Sequence, residues 1–155
     1  MDRIASFRIN HLTLVPGIYV SRRDFRDGIC VTTFDLRFTA PNREPVIDQP
    51  ALHTIEHLGA TFLRNSPRKS DIVYFGPMGC RTGFYLLMFG DISPAEVLPL
   101  VKDMCTFILD YEGDIPGAAP EMCGNWSEQN LPMAKYYVSK YYAAISENPS
   151  LEYPE

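Results

Sequence analysis

Apolar residues recur at three- and four-residue spacing between Gln49 and Asn65, which is typical of a helix with one buried face. The positions that carry this spacing are Leu52, Ile55, Leu58, Phe62 and Leu63. Pro50 stands near the start of the segment, where a proline suits the first helical turn. The pattern therefore predicts an amphipathic helix over this segment.

Two further helices are predicted in the second half of the chain. Residues 93–96, Ser-Pro-Ala-Glu, fit a capping box with proline at the first helical position, and they open a helix that runs to about Tyr111. A loop rich in glycine and proline follows over residues 113–120, and the last helix begins near Pro132. This last helix contains four tyrosines: Tyr136, Tyr137, Tyr141 and Tyr142.

Four segments rich in β-branched and aromatic residues are predicted to be strands. They are residues 12–20, 29–39, 71–76 and 82–90. The last two are joined by residues 76–80, whose glycines and proline have turn chemistry. No repeat or linker divides the chain, and the strands are segregated from the helices. We therefore expect an α+β fold, a single domain over residues 1–155 with a mostly antiparallel sheet packed against helices.

The composition is that of a folded domain and argues against several classes of protein. Of the 155 residues, 46% are hydrophobic, which is too many for a disordered chain. The net charge of -5 argues against nucleic acid and membrane surfaces as partners, since both are bound by basic patches. The chain begins without the apolar run of a signal peptide, so we expect a cytoplasmic protein.

The cysteines are expected to be free thiols. Their spacing is wide and uneven, and no C-x-x-C pair occurs. The four positions are Cys30, Cys80, Cys105 and Cys123. Cys30 lies in a predicted strand and Cys105 on an apolar helix face, so both are expected to be packing residues.

A candidate metal site lies on the first predicted helix. His53 and His57 are four residues apart, so both imidazoles project from one helical face. Two histidine nitrogens at this spacing are able to bind one metal ion at about 2.0–2.1 Å each. Glu56 flanks the site and is able to hold a proton near the ion without binding it. This is the H-x-x-E-H arrangement, the reverse of the common zinc-protease order, and a partly buried structural histidine pair is the alternative interpretation.

A catalytic metal site needs a third protein ligand, and the sequence offers two candidates. Cys123 stands in a loop between two predicted helices, outside any apolar stripe. Glu121 is its rival, and it would favour a hydrolase-like His/His/Glu site.

Cys80 is a candidate proton carrier. It lies in a glycine-containing turn with Arg81 beside it, and thiols near a cation and a metal are able to exchange protons at neutral pH. A buried cysteine in a turn is the alternative interpretation.

Taken together, these segments resemble the S-ribosylhomocysteine lyase family, bacterial enzymes that release homocysteine and the precursor of autoinducer-2. The resemblance covers nearly the whole chain, and the matching pieces occur in the order of the family. They are Ser6-Phe7 with His11, residues 33–38 with Pro41-Asn42, residues 53–57, Arg64-Asn65, residues 77–85, and Cys123-Gly124. The Pro-Met-Gly-Cys segment that ends at Cys80, combined with the His-x-x-Glu-His helix, is highly specific.

The resemblance implies a metal centre with two acid/base groups beside it. His53, His57 and Cys123 would hold the metal, which in this family is iron(II), Fe(2+), one per subunit, with zinc or cobalt able to replace it. Glu56 and Cys80 would move protons during a metal-assisted carbonyl migration and a final β-elimination. The implied products are L-homocysteine and 4,5-dihydroxypentane-2,3-dione.

The resemblance also implies a substrate pocket at the interface of a homodimer. Ser6, His11, Arg37 and Arg64 would lie around the substrate. The family typically reads Asp-Ile-Ser before Pro-Met-Gly-Cys, whereas residues 74–76 are Tyr-Phe-Gly here. We expect this change to alter the contacts to the homocysteine end, with Asp71 or the hydroxyl of Tyr74 as possible replacements.

Two other classes of function remain open from the residues alone. One is a metallopeptidase-like hydrolase in which Glu56 activates a metal-bound water. The other is a metal-binding or dimerisation module without activity.

Overall fold

The chain begins its sheet with a β-hairpin. The computed structural model describes residue 4 and residues 8–154 of the chain. Strands β1 (Gly17–Arg26) and β2 (Ile29–Arg37) pair antiparallel around a tight turn at Asp27 and Gly28, whose φ angles are 50° and 80°. Two successive positive φ angles define the turn type that matches the twist of a hairpin. The predicted strand over residues 12–20 was therefore wrong at both ends, and its true end is mostly polar and exposed as far as the Asp-Gly turn.

Two more strands complete a sheet that is antiparallel throughout. These are β3 (Ile72–Pro77) and β4 (Gly83–Phe89), and the strand order is β1-β2-β4-β3. The central pair β2–β4 is unbroken, whereas each edge strand has one shift of register. Both later strands were predicted to within a residue or two.

Three helices follow the capping signals of the sequence. They are α1 (Gln49–Asn65), α2 (Pro94–Asp110) and α3 (Leu131–Glu147). In α2 the Ser93 hydroxyl accepts a hydrogen bond from the Glu96 N–H, and the Glu96 carboxylate accepts one from the Ser93 N–H, so the predicted capping box is confirmed. The bounds of α1 are those predicted.

The two faces of the sheet have different surroundings. The inner face packs against the three helices and forms one hydrophobic core with them. The outer face carries the alternate positions of the same strands, among them Asp35 and Arg37 of β2, which are 1% and 2% exposed. The α+β class with a helix-covered antiparallel sheet is confirmed.

The C-terminal segment wraps around the β1 edge of the sheet. The N–H of Ile18 donates to the carbonyl of Ser150 at 2.9 Å, and Leu151 packs against the core. Beyond it, the ring of Tyr153 stacks on Tyr19 with centroids 4.6 Å apart. Over the part of the chain that the structure describes, no helix has the length and apolar character needed to cross a membrane.

Candidate metal centre

The two histidines of α1 point their Nε2 atoms at each other. These atoms, of His53 and His57, are 3.0 Å apart, and the rings lie edge to face with centroids 4.5 Å apart. Both side chains are partly buried. The predicted convergence on one helical face is therefore present in the structure.

Backbone carbonyls determine which nitrogen of each ring carries a proton. Nδ1 of His53 lies 3.0 Å from the carbonyl oxygen of Glu128, and Nδ1 of His57 lies 2.7 Å from that of Pro116. A carbonyl oxygen only accepts, so both Nδ1 atoms donate. The Gln129 amide nitrogen also lies near Nδ1 of His53, but at the longer distance of 3.2 Å.

This tautomer leaves two imidazole lone pairs facing each other across 3.0 Å. Two acceptors at that distance repel unless a proton or a cation lies between them. Metal-binding histidines commonly donate the other ring N–H to a carbonyl in this way, which orients the ring and makes the free nitrogen more basic. The arrangement at His53 and His57 therefore suits a cation.

Cys123 completes a cluster of three ligand atoms. Its Sγ is 3.4 Å from Nε2 of His53, and the ligand atoms of His53, His57 and Cys123 all lie within 4.8 Å of one another. Imidazole and thiolate together suit zinc, iron and related transition metals. Glu121 is exposed and does not belong to the cluster found among the described residues. The geometry favours the thiol over the carboxylate as the third ligand.

The loop that carries Cys123 is held to α1 by a polar contact that the sequence did not indicate. The Thr54 hydroxyl donates to the side-chain oxygen of Gln129 at 2.7 Å and accepts from the N–H of Asn130 at 2.9 Å. Thr54 is fully buried and adjacent to His53. No signal in the sequence pairs it with Gln129, because the two residues are far apart along the chain.

Glu56 lines a cavity beside the cluster. The cavity has a volume of about 180 Å³, and His53 and Pro77 also line it. Among residues 8–154, the Glu56 carboxylate makes no hydrogen bond and no ion pair. A carboxylate next to a cation site that is not used structurally is free to accept and donate protons.

Cys80 lies elsewhere, at the end of the sheet. Its side chain is exposed, so the interpretation as a buried turn cysteine was wrong. Its Sγ lies 3.1 Å from the Thr82 hydroxyl and 4.0 Å from Nη1 of Arg37. The positive φ of Arg81, 59°, belongs to the tight turn that follows the thiol. Cys80 does not line the cavity beside His53 and Glu56.

The Arg37 side chain is buried beneath the outer face. Nη2 donates to Asp35 Oδ2 at 2.6 Å, and Nη1 donates to the Thr82 hydroxyl at 2.5 Å. Burial alone would lower the pKa of Arg37, but the Asp35 carboxylate raises it. The guanidinium therefore stays charged beside Cys80.

The other predicted substrate residues are placed as follows. Ser6 lies outside the described residues. His11 is partly buried, and its Nδ1 lies 2.9 Å from the carbonyl of Ile9. Arg64 is exposed and donates to the carbonyls of Ile72 and Val73 at 3.0 Å each. Their contact with a substrate stays a prediction.

In the altered segment before Cys80, Tyr74 and Gly76 lie close to each other. Tyr74 lies along β3 over Gly76, and a Cβ atom at Gly76 would lie 1.9 Å from the Tyr74 hydroxyl. A side chain at Gly76 would therefore displace the exposed Tyr74 ring from this place. Asp71, the other candidate for the missing acid, accepts from Arg68 at 2.6 Å.

The comparisons with known proteins agree on one family. The chain matches the model of the family described as S-Ribosylhomocysteinase (LuxS) over residues 4–152. It is 54% identical to the S-ribosylhomocysteine lyases of Finegoldia magna and Clostridium acetobutylicum, with 100% of each chain covered. It is 51% identical to the S-ribosylhomocysteine lyase of Porphyromonas gingivalis, again over the full length of both.

Proposed function

The chain belongs to the S-ribosylhomocysteinase (LuxS) family, and on that premise we propose that it is an S-ribosylhomocysteine lyase. It would cleave S-ribosyl-L-homocysteine to L-homocysteine and 4,5-dihydroxypentane-2,3-dione, the autoinducer-2 precursor. The observation that carries the proposal is the convergence of two imidazole nitrogens and one thiol at His53, His57 and Cys123. The metallopeptidase-like alternative is not favoured, since the relatives that match over their full length are lyases.

The donor set supports a metal cofactor. His53, His57 and Cys123 would hold one divalent ion per subunit, and we propose iron(II), with zinc or cobalt able to replace it. When bound, the ion supplies Lewis acidity that makes protons beside the substrate carbonyl easier to remove. As a ligand, the thiolate of Cys123 would offset part of the positive charge of the ion.

Two side chains of the chain would move the protons. Carbonyl migration needs a proton removed from the carbon next to the carbonyl and another returned to the former carbonyl carbon, with no net oxidation. Cys80, beside the charged Arg37, would act as thiolate in this exchange. Glu56, which has no hydrogen-bond or ion-pair partner among the described residues, would handle protons on the hydroxyl groups and in the final step. There, removal of a proton from the carbon next to the carbonyl forms a carbon–carbon double bond while the bond between carbon and sulfur breaks. The departing thiolate takes up a proton and leaves as homocysteine.

Ser6, His11, Arg37 and Arg64 are proposed to surround the substrate. Arginine suits a substrate that carries a carboxylate and hydroxyl groups. Arg64 is exposed and donates to the carbonyls of Ile72 and Val73, and Arg37 directs Nη1 toward the Cys80 turn. The proposal includes a cytoplasmic location, in line with four free cysteines.

Thiol release from S-ribosylhomocysteine tests the proposal directly. Protein purified without oxygen is loaded with iron(II), and homocysteine is measured with a thiol reagent. Cys80→Ala should lower turnover by at least about 10²-fold while metal content is unchanged, because only a proton carrier is lost. Cys30→Ala is the matched control, since Cys30 lies at the start of β2, away from the cluster, and should retain activity.

The same assay distinguishes the alternatives. Cys123→Ala should lose metal, and Glu121→Ala should keep it. The opposite result would support the hydrolase-like site. Full metal occupancy in the wild-type protein without thiol release would leave only a metal-binding module.

We further propose that the active chain is a homodimer with sites formed at the interface. The outer face of the sheet exposes large apolar side chains, with Tyr74 49% and Phe89 47% accessible. A cavity of about 390 Å³ on this face is lined in part by Tyr74, Tyr85 and Leu87. Such a face is expected to be covered by a partner, and a second copy would place Cys80 of one subunit near the metal ligands of the other.

Mixing two inactive variants tests the shared site. Cys80→Ala keeps the metal ligands, and Cys123→Ala keeps the thiol of Cys80. If each site uses both subunits, random pairing should restore roughly a quarter of the wild-type activity, because half of the dimers have one intact site. No recovered activity in dimers proven to be mixed would show that each site lies within one chain.

Phe89→Glu tests the face itself. It should shift the molar mass measured by light scattering toward that of the single chain. Tyr136→Glu, on the exposed side of α3, is the control and should leave the mass unchanged.

A further inference from the structure

The C-terminal segment brings a hydroxyl group to the ion pair behind Cys80. The hydroxyl of Tyr153 donates to Oδ2 of Asp35 at 3.0 Å. The same oxygen accepts from Nη2 of Arg37 at 2.6 Å. Tyr153 is therefore connected to the Cys80 thiol through two intervening side chains, although it lies at the far end of the chain.

The contact of Asp35 with Arg37 has an unusual form. Oδ1 of Asp35 and Nε of Arg37 are both buried and have no hydrogen-bond partner within the described part of the chain. The preferred pairing of arginine with a carboxylate is two parallel hydrogen bonds, which would satisfy both atoms. Here the guanidinium meets the carboxylate through one contact only, and Nη1 is directed at Thr82 and Cys80.

Tyr153 is in a position to maintain this single contact. Its hydroxyl donates a hydrogen bond to Oδ2 of Asp35. The Tyr153 ring stacks on Tyr19, with 14° between the planes, and this stacking fixes the direction from which the hydroxyl reaches Asp35. Loss of the hydroxyl would leave the carboxylate free to turn and present both oxygens to Arg37. The guanidinium would then follow Asp35 and withdraw its charge from the thiol.

The segment is built into the sheet edge at this point. A Cβ at Gly17 would lie 2.4 Å from the carbonyl oxygen of Ser150, so only a glycine permits the segment to lie this close to β1. Burial raises the pKa of the Tyr153 hydroxyl, and the Asp35 carboxylate raises it further. The hydroxyl therefore keeps its proton and stays a donor at neutral pH.

We propose that Tyr153 is a positioning residue for the lyase reaction, which holds Asp35 so that Arg37 directs its charge at the Cys80 thiol. This inference rests on the proposed role of Cys80 as proton carrier. It assigns a function to the C-terminal segment that the sequence did not indicate, because Tyr153 lies in none of the segments that carry the family resemblance.

Alkylation of Cys80 as a function of pH tests the inference without any substrate. Metal-loaded protein is treated with iodoacetamide, and the modified Cys80 peptide is quantified by mass spectrometry. Besides Arg37, the ionisable groups near this region in the described part of the chain include Arg81 on the turn and Tyr85 on β4. Arg22 and Tyr19 of β1 also face it, together with Asp35 and Tyr153. The Tyr153→Phe substitution removes only the Tyr153 hydroxyl and leaves the other ionisable groups in place.

In Tyr153→Phe the pH midpoint of alkylation should rise by about half a unit, which corresponds to roughly threefold slower alkylation below the midpoint. The kcat of the lyase reaction should fall with little change in KM. Tyr141→Phe is the matched control, because it also removes a buried hydroxyl, one that donates to the Gly17 carbonyl at 3.1 Å. This variant should lose stability and keep the wild-type midpoint.

An unchanged midpoint in Tyr153→Phe, or an equal shift in both variants, would overturn the inference. The alkylation result is separate from the proposed function. A shifted midpoint in a protein that releases no thiol would retain the coupling of Tyr153 to Cys80 and reject the lyase.

Discussion

At the scale of single residues, Tyr74 and Gly76 show how one substitution makes another necessary. The aromatic ring lies over the glycine, and the atoms Cζ and Cε1 of Tyr74 would lie 2.4 and 2.9 Å from an added Cβ. These atoms belong to the far half of an exposed ring, which would have to turn away from β3. The two positions are therefore expected to change together rather than singly.

Gly76→Ser should lower the free energy of unfolding by about 0.5–1 kcal/mol, because the Tyr74 ring must leave its place opposite Leu87 of β4. Tyr74→Asp combined with Gly76→Ser should recover most of that loss, because the bulky ring is gone. Urea unfolding of the two single variants and the double variant measures the coupling. Strictly additive losses would contradict it.

The sequence predicted the cluster of candidate metal ligands better than the groups that support it. The four-residue spacing of His53 and His57 is a property of any helix, so their convergence could be anticipated. The carbonyls of Pro116 and Glu128 come from an irregular loop whose path depends on tertiary packing. No periodic pattern encodes such a path.

At the scale of elements, the loop between α2 and α3 is expected to depend on the candidate metal centre. It supplies Cys123 and the two carbonyls that orient the histidines, and hydrogen bonds connect it to α1. Without the ion, the two imidazole lone pairs repel at 3.0 Å. The loop is therefore expected to loosen when metal is removed.

Chelation of the metal should lower the thermal midpoint and increase hydrogen exchange in residues 113–130, while β2 and β4 stay protected. An ion present at about 100 times its dissociation constant contributes about 2.7 kcal/mol. In Cys123→Ala a chelator should have little further effect. Equal exchange in the loaded and chelated wild-type protein would contradict a metal-dependent loop.

The start of α2 depends on a local contact that can be tested separately. Ser93→Ala should lower the free energy of unfolding by about 1 kcal/mol, because the cap of the first turn is lost. Ser139→Ala, on the exposed side of α3, is the matched control and should change stability little. Equal effects of the two substitutions in urea unfolding would argue against the capping box.

At the scale of the whole molecule, the buried ionisable groups make stability depend on alkaline pH. Burial raises the pKa of the Cys105 thiol to about 12 from 9.0. It also raises the pKa of the fully buried Tyr141 hydroxyl. Below pH 9 the thiol is protonated in both the folded and the unfolded chain, so its contribution is complete. As pH rises from 9 toward 12, only the unfolded chain loses the proton, and the folded state is destabilised.

The free energy of unfolding should therefore fall between pH 8 and pH 10.5, and it should fall less in Cys105→Ala. The fall in the wild-type protein should exceed the fall in Cys105→Ala by about 2 kcal/mol. This figure follows from 1.36 kcal/mol for each pH unit above the pKa of the unfolded thiol. Denaturant unfolding under reducing conditions at both pH values measures it. Parallel falls in the wild type and the variant would show that Cys105 ionises in the folded protein.

The overall architecture could be predicted because it is encoded locally. Capping residues and periodic apolar positions specify α1 and α2, and the four strands were recognised from their residue types. The full extent of β1 was not predicted, because residues 21–26 are mostly polar and lie on an exposed edge. The position of the C-terminal segment was also not predicted. It is held by individual hydrogen bonds of Ser150 and Tyr153, and no periodic sequence pattern indicates such bonds.

The register shifts of the sheet occur in its two edge strands, between Val20 and Arg22 in β1 and between Ile72 and Tyr74 in β3. At a shifted and locally twisted edge, the N–H and C=O groups do not match the hydrogen-bonding register of an incoming strand. The charged side chains of residues 22–26 reinforce this on one side. Newly made chains at high concentration are therefore expected to resist edge-to-edge aggregation, even while the apolar outer face is still uncovered.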